Sequence, residues 1–326
     1  MPMTTIRLKT LFGIPFLFSL LLLTACTRQD LYQTAMSLER QRAGLAPAEV
    51  VMDDLTVAYL AGGNPDGETI LMVHGFGANK DNWVRLAGKL ENQYRIIALD
   101  LPGHGDSSAP LELDYRMPAQ AQRIADFIQT LELGQVHYMG NSMGGWIGME
   151  LARIQPDVLN SLVLLDNGGV EPPNASEFQH LLEQGENPLI VNQPGDMEKL
   201  LSFVMTDRPF IPWPITSVLE EQALAREPVN EKIFDDLLRS RDERLEGIPQ
   251  SEWLAAITTP SLIIWGEDDR VLDVSSVSEM QKYMPTTEAV IFEEIGHLPM
   301  IEDPSAVAEA FLAFVEKQPS GISQSQ

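Results

Sequence analysis

One cysteine, Cys26, occurs in the 326 residues, so no disulfide can close within the chain and no cysteine cluster can hold a metal. Positive charge is also scarce. Lys and Arg number 22 against 47 Asp and Glu, for a net charge of −25. No basic cluster lies outside the extreme N-terminus, which argues against a nucleic-acid partner, because phosphate binding needs a positive footprint. The acidity reads as a solvated surface. Histidine is limited to five positions, which narrows any search for a general base. There is no internal repeat, and the only low-complexity tract is the polar tail over residues 319–326. No apolar run is long enough to cross a bilayer. The longest, residues 11–23, would span about 20 Å as a helix against a hydrocarbon core of ~30 Å, and Pro15 interrupts it.

That apolar run follows Arg7 and Lys9 and ends in Leu23-Thr24-Ala25-Cys26. Residues 1–25 therefore read as a signal peptide. The four residues around the cleavage point resemble the lipobox of bacterial lipoproteins, in which the cysteine is acylated and becomes the new N-terminus. The resemblance implies lipidation at Cys26 and attachment to a membrane. Thr27 in place of aspartate implies the outer membrane; a secreted form after cleavage is the other outcome. Loss of Arg7 and Lys9 would move the net charge from −25 to −27.

Residues 26–50 are polar with scattered apolar positions and are expected to form a tether with a short helix. Beyond them, short apolar runs at 55–60, 69–73, 94–99, 136–139, 162–165, 261–265 and 288–292 read as strands. Helix-compatible stretches lie between most of them. In residues 81–90, Trp83, Leu86 and Leu90 are spaced by three and four, and residues 117–131 and 144–155 are similar. Strands alternating with helices imply an α/β fold with a mostly parallel sheet covered on both faces, over residues 51–170 and 256–318. Residues 171–255 break the rhythm with proline-rich turns, helical stretches and no strand-like run, and are expected to form an inserted helical cap.

Gly140-Asn141-Ser142-Met143-Gly144 lies between the strand at 136–139 and the helix at 144–155. A Gly-x-Ser-x-Gly at such a junction forces the serine into a strained, exposed turn, and the glycines are required because a Cβ would collide with the neighbouring elements. A serine hydroxyl needs a base, and the base needs an orienting acid. Of the histidines, His137 lies inside the strand before Ser142, His180 lies in the expected cap, and His74 and His104 sit in glycine-rich turns. His297 follows the last strand. It can approach Ser142 across 155 residues, because loops at the carboxyl ends of strands in an open α/β sheet meet at one crevice. Asp269 follows strand 261–265 and is the preferred acid. Asp268 is second, and Asp166, at the end of another strand, is a less common position. Backbone N–H groups of Met143 and of Phe76, in His74-Gly75-Phe76-Gly77, are the expected oxyanion donors. Phe210, Ile211 and Trp213 are candidates to line an acyl pocket, and Trp146 is expected in the core.

These motifs, together with Asp100-Leu101-Pro102-Gly103-His104-Gly105-Asp106-Ser107, occur in the order seen in α/β-hydrolases. Over about residues 50–317 the chain resembles bacterial lipases of cold-living Gram-negative species and monoacylglycerol-lipase-like hydrolases. The resemblance implies the α/β-hydrolase fold and Asp269 as the fourth residue of the family's Gly-x-x-Asp. Nothing in the sequence resembles a ligand cluster, so no metal or organic cofactor is expected. Ser142 stands where dehalogenases and epoxide hydrolases carry aspartate, which excludes both. The expectation is a lipid-ester hydrolase with a fatty-acyl ester substrate and no obligate protein partner. Two alternatives stay open: a small-ester esterase or carbon–carbon-bond hydrolase on the same scaffold, and a non-catalytic surface lipoprotein that binds an apolar ligand.

Overall fold

The computed structural model describes residues 27–318. Cys26, the apolar run before it and the polar tail over residues 319–326 lie outside the described residues. The elements follow in the order α1 (Arg28–Arg42), β1 (Leu45–Met52), β2 (Leu55–Gly63), β3 (Thr69–Val73), α2 (Val84–Leu90), β4 (Arg95–Leu99), α3 (Met117–Thr130), β5 (Val136–Asn141), α4 (Met143–Ile154) and β6 (Leu159–Leu165). Five helices come next: α5 (Glu177–Glu183), α6 (Asp196–Val204), α7 (Trp213–Ala225), α8 (Glu227–Gly247) and α9 (Gln250–Ala255). The chain closes with β7 (Ser261–Gly266), α10 (Ser276–Tyr283), β8 (Thr287–Phe292), α11 (Pro299–Glu302) and α12 (Pro304–Lys317).

The strands form one eight-stranded sheet in the order β1-β2-β4-β3-β5-β6-β7-β8. β2 runs antiparallel to β1 and β4, and the strands from β3 to β8 are parallel. The central strands read as continuous apolar runs because both of their faces are buried. Their side chains alternate between two cores. Leu71 and Val73 of β3 join a cluster with Ile124 and Phe127 of α3 and Ile147 of α4. Ile70 and Met72 join the opposite cluster with Leu86 and Leu90 of α2 and Phe311 of α12. Full burial of each such side chain stabilises the fold by roughly 1.5–3 kcal/mol, so register is strongly specified: a one-residue slip would exchange the two sets.

The expected tether is an ordered part of the body. Thr27 caps α1 by accepting from Asp30 N, and Arg40 grips Asp81 with two hydrogen bonds of 2.6 Å. The expected boundary at residue 50 cuts through β1. That strand escaped notice because it is an edge strand: only Leu45 is buried, so its sequence carries no apolar alternation, and Pro47 is tolerated there.

The register aligns the ends of the parallel strands. Val73 pairs with Gly140, Asn141 with Leu165, and Leu165 lies one residue from Asp166 and opposite Ile264. The loops that follow β3, β5, β6 and β7 therefore share one rim. The helices between β6 and β7 cover it. The longest, α8, is fixed to the sheet side by Asp236, which accepts from Tyr115 N at 2.9 Å, and by Ser240, which accepts from Met117 N at 3.1 Å.

Candidate active site

Ser142 has φ +55° and ψ −118°, a conformation that L side chains rarely adopt. Hydrogen bonds hold it there. Ser142 N donates to Leu165 O at 3.0 Å, and Ser142 O accepts from Gly145, Trp146 and Gly168 N–H groups at 3.0–3.2 Å. The glycines are needed for contact rather than for φ. A Cβ on Gly140 would lie 2.4 Å from Gly144 O, and one on Gly144 would lie 2.3 Å from Val73 O. The tight turn thus lets α4 start directly over β5, with Ser142 half-buried at the rim.

His297 and Asp269 meet on the same rim. His297 Nδ1 lies 2.8 Å from Asp269 Oδ2, with both side chains buried. Asp269 Oδ1 accepts from Val271 N at 2.7 Å and Leu272 N at 3.1 Å. The carboxylate is therefore held by three donors, and Nδ1 of the imidazole carries the proton that points at it. Asp268 is exposed and uses its N–H on Ile295 O. The His297 loop is anchored beside the serine, because Asn141 Nδ2 donates to His297 O at 3.0 Å. Among the described residues no hydrogen bond joins Ser142 Oγ to the His297 ring.

Asp166 is the third member of this cluster. Donor or acceptor atoms of Asp166, Asp269 and His297 all lie within 4.8 Å of one another, and among the described residues it is the one such group of acids and histidines with metal-ligand spacing. The 2.8 Å separation of Asp269 from His297 is a hydrogen-bond distance. Burial and the nearby Asp269 charge push the Asp166 carboxyl well above the usual carboxylate range.

A cavity of about 150 Å³ opens onto Ser142. Phe76, Met143 and Trp146 line it from the sheet side, so Trp146 serves both core and cavity. Phe178, Leu182 and Leu189 close it from the first part of the helical insert. Phe234, Leu237 and Leu238 of α8 form the far wall, where Arg241 makes a bidentate pair with Glu171 at 2.7 and 2.9 Å. The spacing 234, 237, 238, 241 is one helical face, the sequence signal that identifies these residues. Phe210, Ile211 and Trp213 were expected here and do not line it. Phe210 is 88% and Trp213 68% exposed, because the proline-rich segment that carries them turns outward at the start of α7. Phe76 and Met143 N–H groups donate to no other group among the described residues, and both residues border the cavity together with Ser142.

The other histidines have structural partners. His74 Nδ1 contacts Gly75 O at 2.7 Å and Nε2 accepts from Leu101 N at 3.0 Å, which fixes a neutral ring. Burial holds that imidazole down to about 4. His104 packs edge-on against it, at 4.9 Å between ring centres, and burial lowers its value as well. His137 Nδ1 lies 2.8 Å from Ser161 Oγ inside the sheet.

Residues 70–310 match the alpha/beta hydrolase family. Lipase 1 of Psychrobacter immobilis is 32% identical over 259 residues, covering 79% of this chain and 80% of that protein. Human monoacylglycerol lipase ABHD6 is 27% identical over 286 residues, covering 85% and 84%. Among solved structures, a membrane phospholipase A described as a bacterial virulence factor superposes with a TM-score of 0.85 at 41% identity, covering 92% of this chain and 97% of that one.

Proposed function

The chain belongs to the alpha/beta hydrolase family and is a carboxylic-ester hydrolase, and from that premise we propose that it cleaves fatty-acyl esters of lipids through Ser142, His297 and Asp269. Ser142 Oγ attacks the ester carbonyl while His297 Nε2 takes its proton. Asp269 keeps Nδ1 protonated and stabilises the imidazolium that forms. The N–H groups of Phe76 and Met143 receive the developing oxyanion. His297 then returns the proton to the leaving alcohol, and water, activated by the same imidazole, releases the acyl group. No metal or organic cofactor is required at any step.

The observation that carries this reading is the buried 2.8 Å Asp269–His297 bond, on a loop tied to the residue beside a strained Ser142. The apolar cavity next to that serine supports an acyl chain as the part of the substrate that is recognised. The Lipase 1 and membrane phospholipase A relatives support acylglycerols and phospholipids as the ester class. No helix among the described residues is long and apolar enough to cross a membrane. Attachment through a lipidated Cys26 would place the catalytic body at a membrane surface, since α1 begins two residues later.

Hydrolysis of p-nitrophenyl esters from acetate to palmitate, beside a phospholipid, a monoacylglycerol and a diketone of the kind that carbon–carbon-bond hydrolases cleave, tests the reading. Preference for medium or long acyl esters is expected. Activity confined to acetate and propionate would replace it with a small-ester esterase, and cleavage of the diketone alone with a carbon–carbon-bond hydrolase. Mass spectrometry of the N-terminal peptide of the mature protein tests lipidation, with unmodified Cys26 as the contrary result.

A further inference from the structure

Asp166 takes no part in the mechanism above, yet it is fully buried at the rim, with a carboxyl oxygen within 4.8 Å of both acid and base. Its backbone is strained, with φ +44°, and its N–H donates to Ile264 O at 3.0 Å. One carboxyl oxygen, Oδ1, accepts from Gly266 N at 2.9 Å, on the strand that leads to Asp269. The other, Oδ2, receives no donor among the described residues. Asp269, by contrast, receives three. The two carboxyl groups lie close together, with oxygens within 4.8 Å, and burial with the nearby Asp269 charge pushes the Asp166 carboxyl well above the usual carboxylate range. Two buried carboxylates this close repel each other, so one of them is held neutral. Hydrogen bonds to the charged form favour ionisation, so Asp269, with three donors, holds the charge, and the proton sits on Asp166 Oδ2.

We propose that Asp166 is a positioning residue: its carboxylic acid O–H donates to the Asp269 carboxylate and aims that group at His297. The inference rests on the triad reading for its purpose, while the shared proton itself can be observed without turnover. The charged and titratable groups that face Asp166 are Asp269, His297 and Glu302. Glu302 is itself bound by the N–H groups of Thr206, Asp207, Gly296 and Leu298. A negative Asp166 would stand against two like charges, Asp269 and Glu302, at a buried position. The neutral form adds a fourth donor to Asp269 and leaves the charge on His297's partner undiminished.

Two variants separate the possibilities. Asp166→Asn keeps the shape, offers an N–H to Asp269 and an oxygen to Gly266 N, and has no proton to lose. Asp166→Leu removes both. Infrared spectra of the resting protein at neutral pH should show a protonated carboxylic acid band that shifts in heavy water and vanishes in Asp166→Asn. Absence of that band overturns the proposal whatever the activity. In kinetics, Asp166→Asn should keep kcat/KM within about threefold and leave its acid limb in place, because no charge is removed. Asp166→Leu should lower kcat about tenfold or more with KM little changed, as a misaimed Asp269 predicts. If Asp166→Asn moves the acid limb down by about one pH unit, Asp166 was ionised beside His297 and the proposal fails. Loss of covalent labelling at Ser142 in the unmodified protein would instead sink the triad reading, with the infrared band still present.

Discussion

The sheet rim and the helical insert face each other across one cavity and are built in opposite ways. At the rim, polar groups are buried and held: Ser142 by four backbone bonds, Asp269 by three donors, Lys80 between Asp100 and Asp106 at 2.6 Å each. Two non-glycine residues there, Ser142 and Asp166, have positive φ. The insert instead offers apolar side chains on amphipathic helices, and its proline-rich segment leaves Phe210 and Trp213 in solvent. Strain is stored where surrounding structure over-determines it, and selectivity is placed where side chains can change without unfolding the sheet.

That contrast is open to attack in order of effect. Asp269→Asn at the rim should reduce kcat on the order of 10⁴-fold with an unchanged melting temperature, since it alters the tautomer of His297 and little of the packing. A loss below tenfold would remove Asp269 from the mechanism. Lys80→Met should destabilise the fold by about 3–5 kcal/mol in urea titration, because Asp100 would be left buried without its cation. A neutral result would mean that the rim's polar groups are replaceable.

The buried His74 gives a pH test. Its imidazole is held down to about 4, below the ordinary 6.5, so its contribution to stability is present above pH 6.5 and lost as the pH falls through about 4. The interval corresponds to about 3 kcal/mol at most. Unfolding of the protein should therefore become easier over that range, and His74→Gln should flatten the slope. An unchanged slope would show that the ring is not held neutral.

In the insert, Leu237→Trp should shift ester preference toward shorter acyl chains by about tenfold while leaving stability within ~1 kcal/mol. Phe210→Ser is expected to change stability by less than ~0.5 kcal/mol and acyl-chain preference not at all, because the side chain is exposed and outside the cavity. A changed chain-length profile in the second variant would return Phe210 to the substrate path.

Much of the rim was legible in the sequence, for a physical reason. Strands β3, β5, β6 and β7 are buried on both faces, which writes them as short, mostly apolar runs, and the residues expected to cooperate follow their ends. Edge strand β1 has a single buried side chain and left no such record. The cavity's far wall was misplaced because an aromatic cluster beside prolines reads as apolar whether it faces in or out. Phe234 and Leu237 sit in a charged helix whose apolar face is narrow. The Asp166–Asp269 contact joins loops 103 residues apart, and no local pattern encodes where a proton is shared.

The most direct test of the account is reaction with a fluorophosphonate probe, read by intact mass and by the labelled peptide. The account predicts one adduct per chain, on Ser142, abolished in Ser142→Ala and strongly slowed in His297→Ala. An unlabelled protein that is folded and pure, or label carried on a residue other than Ser142, would contradict it.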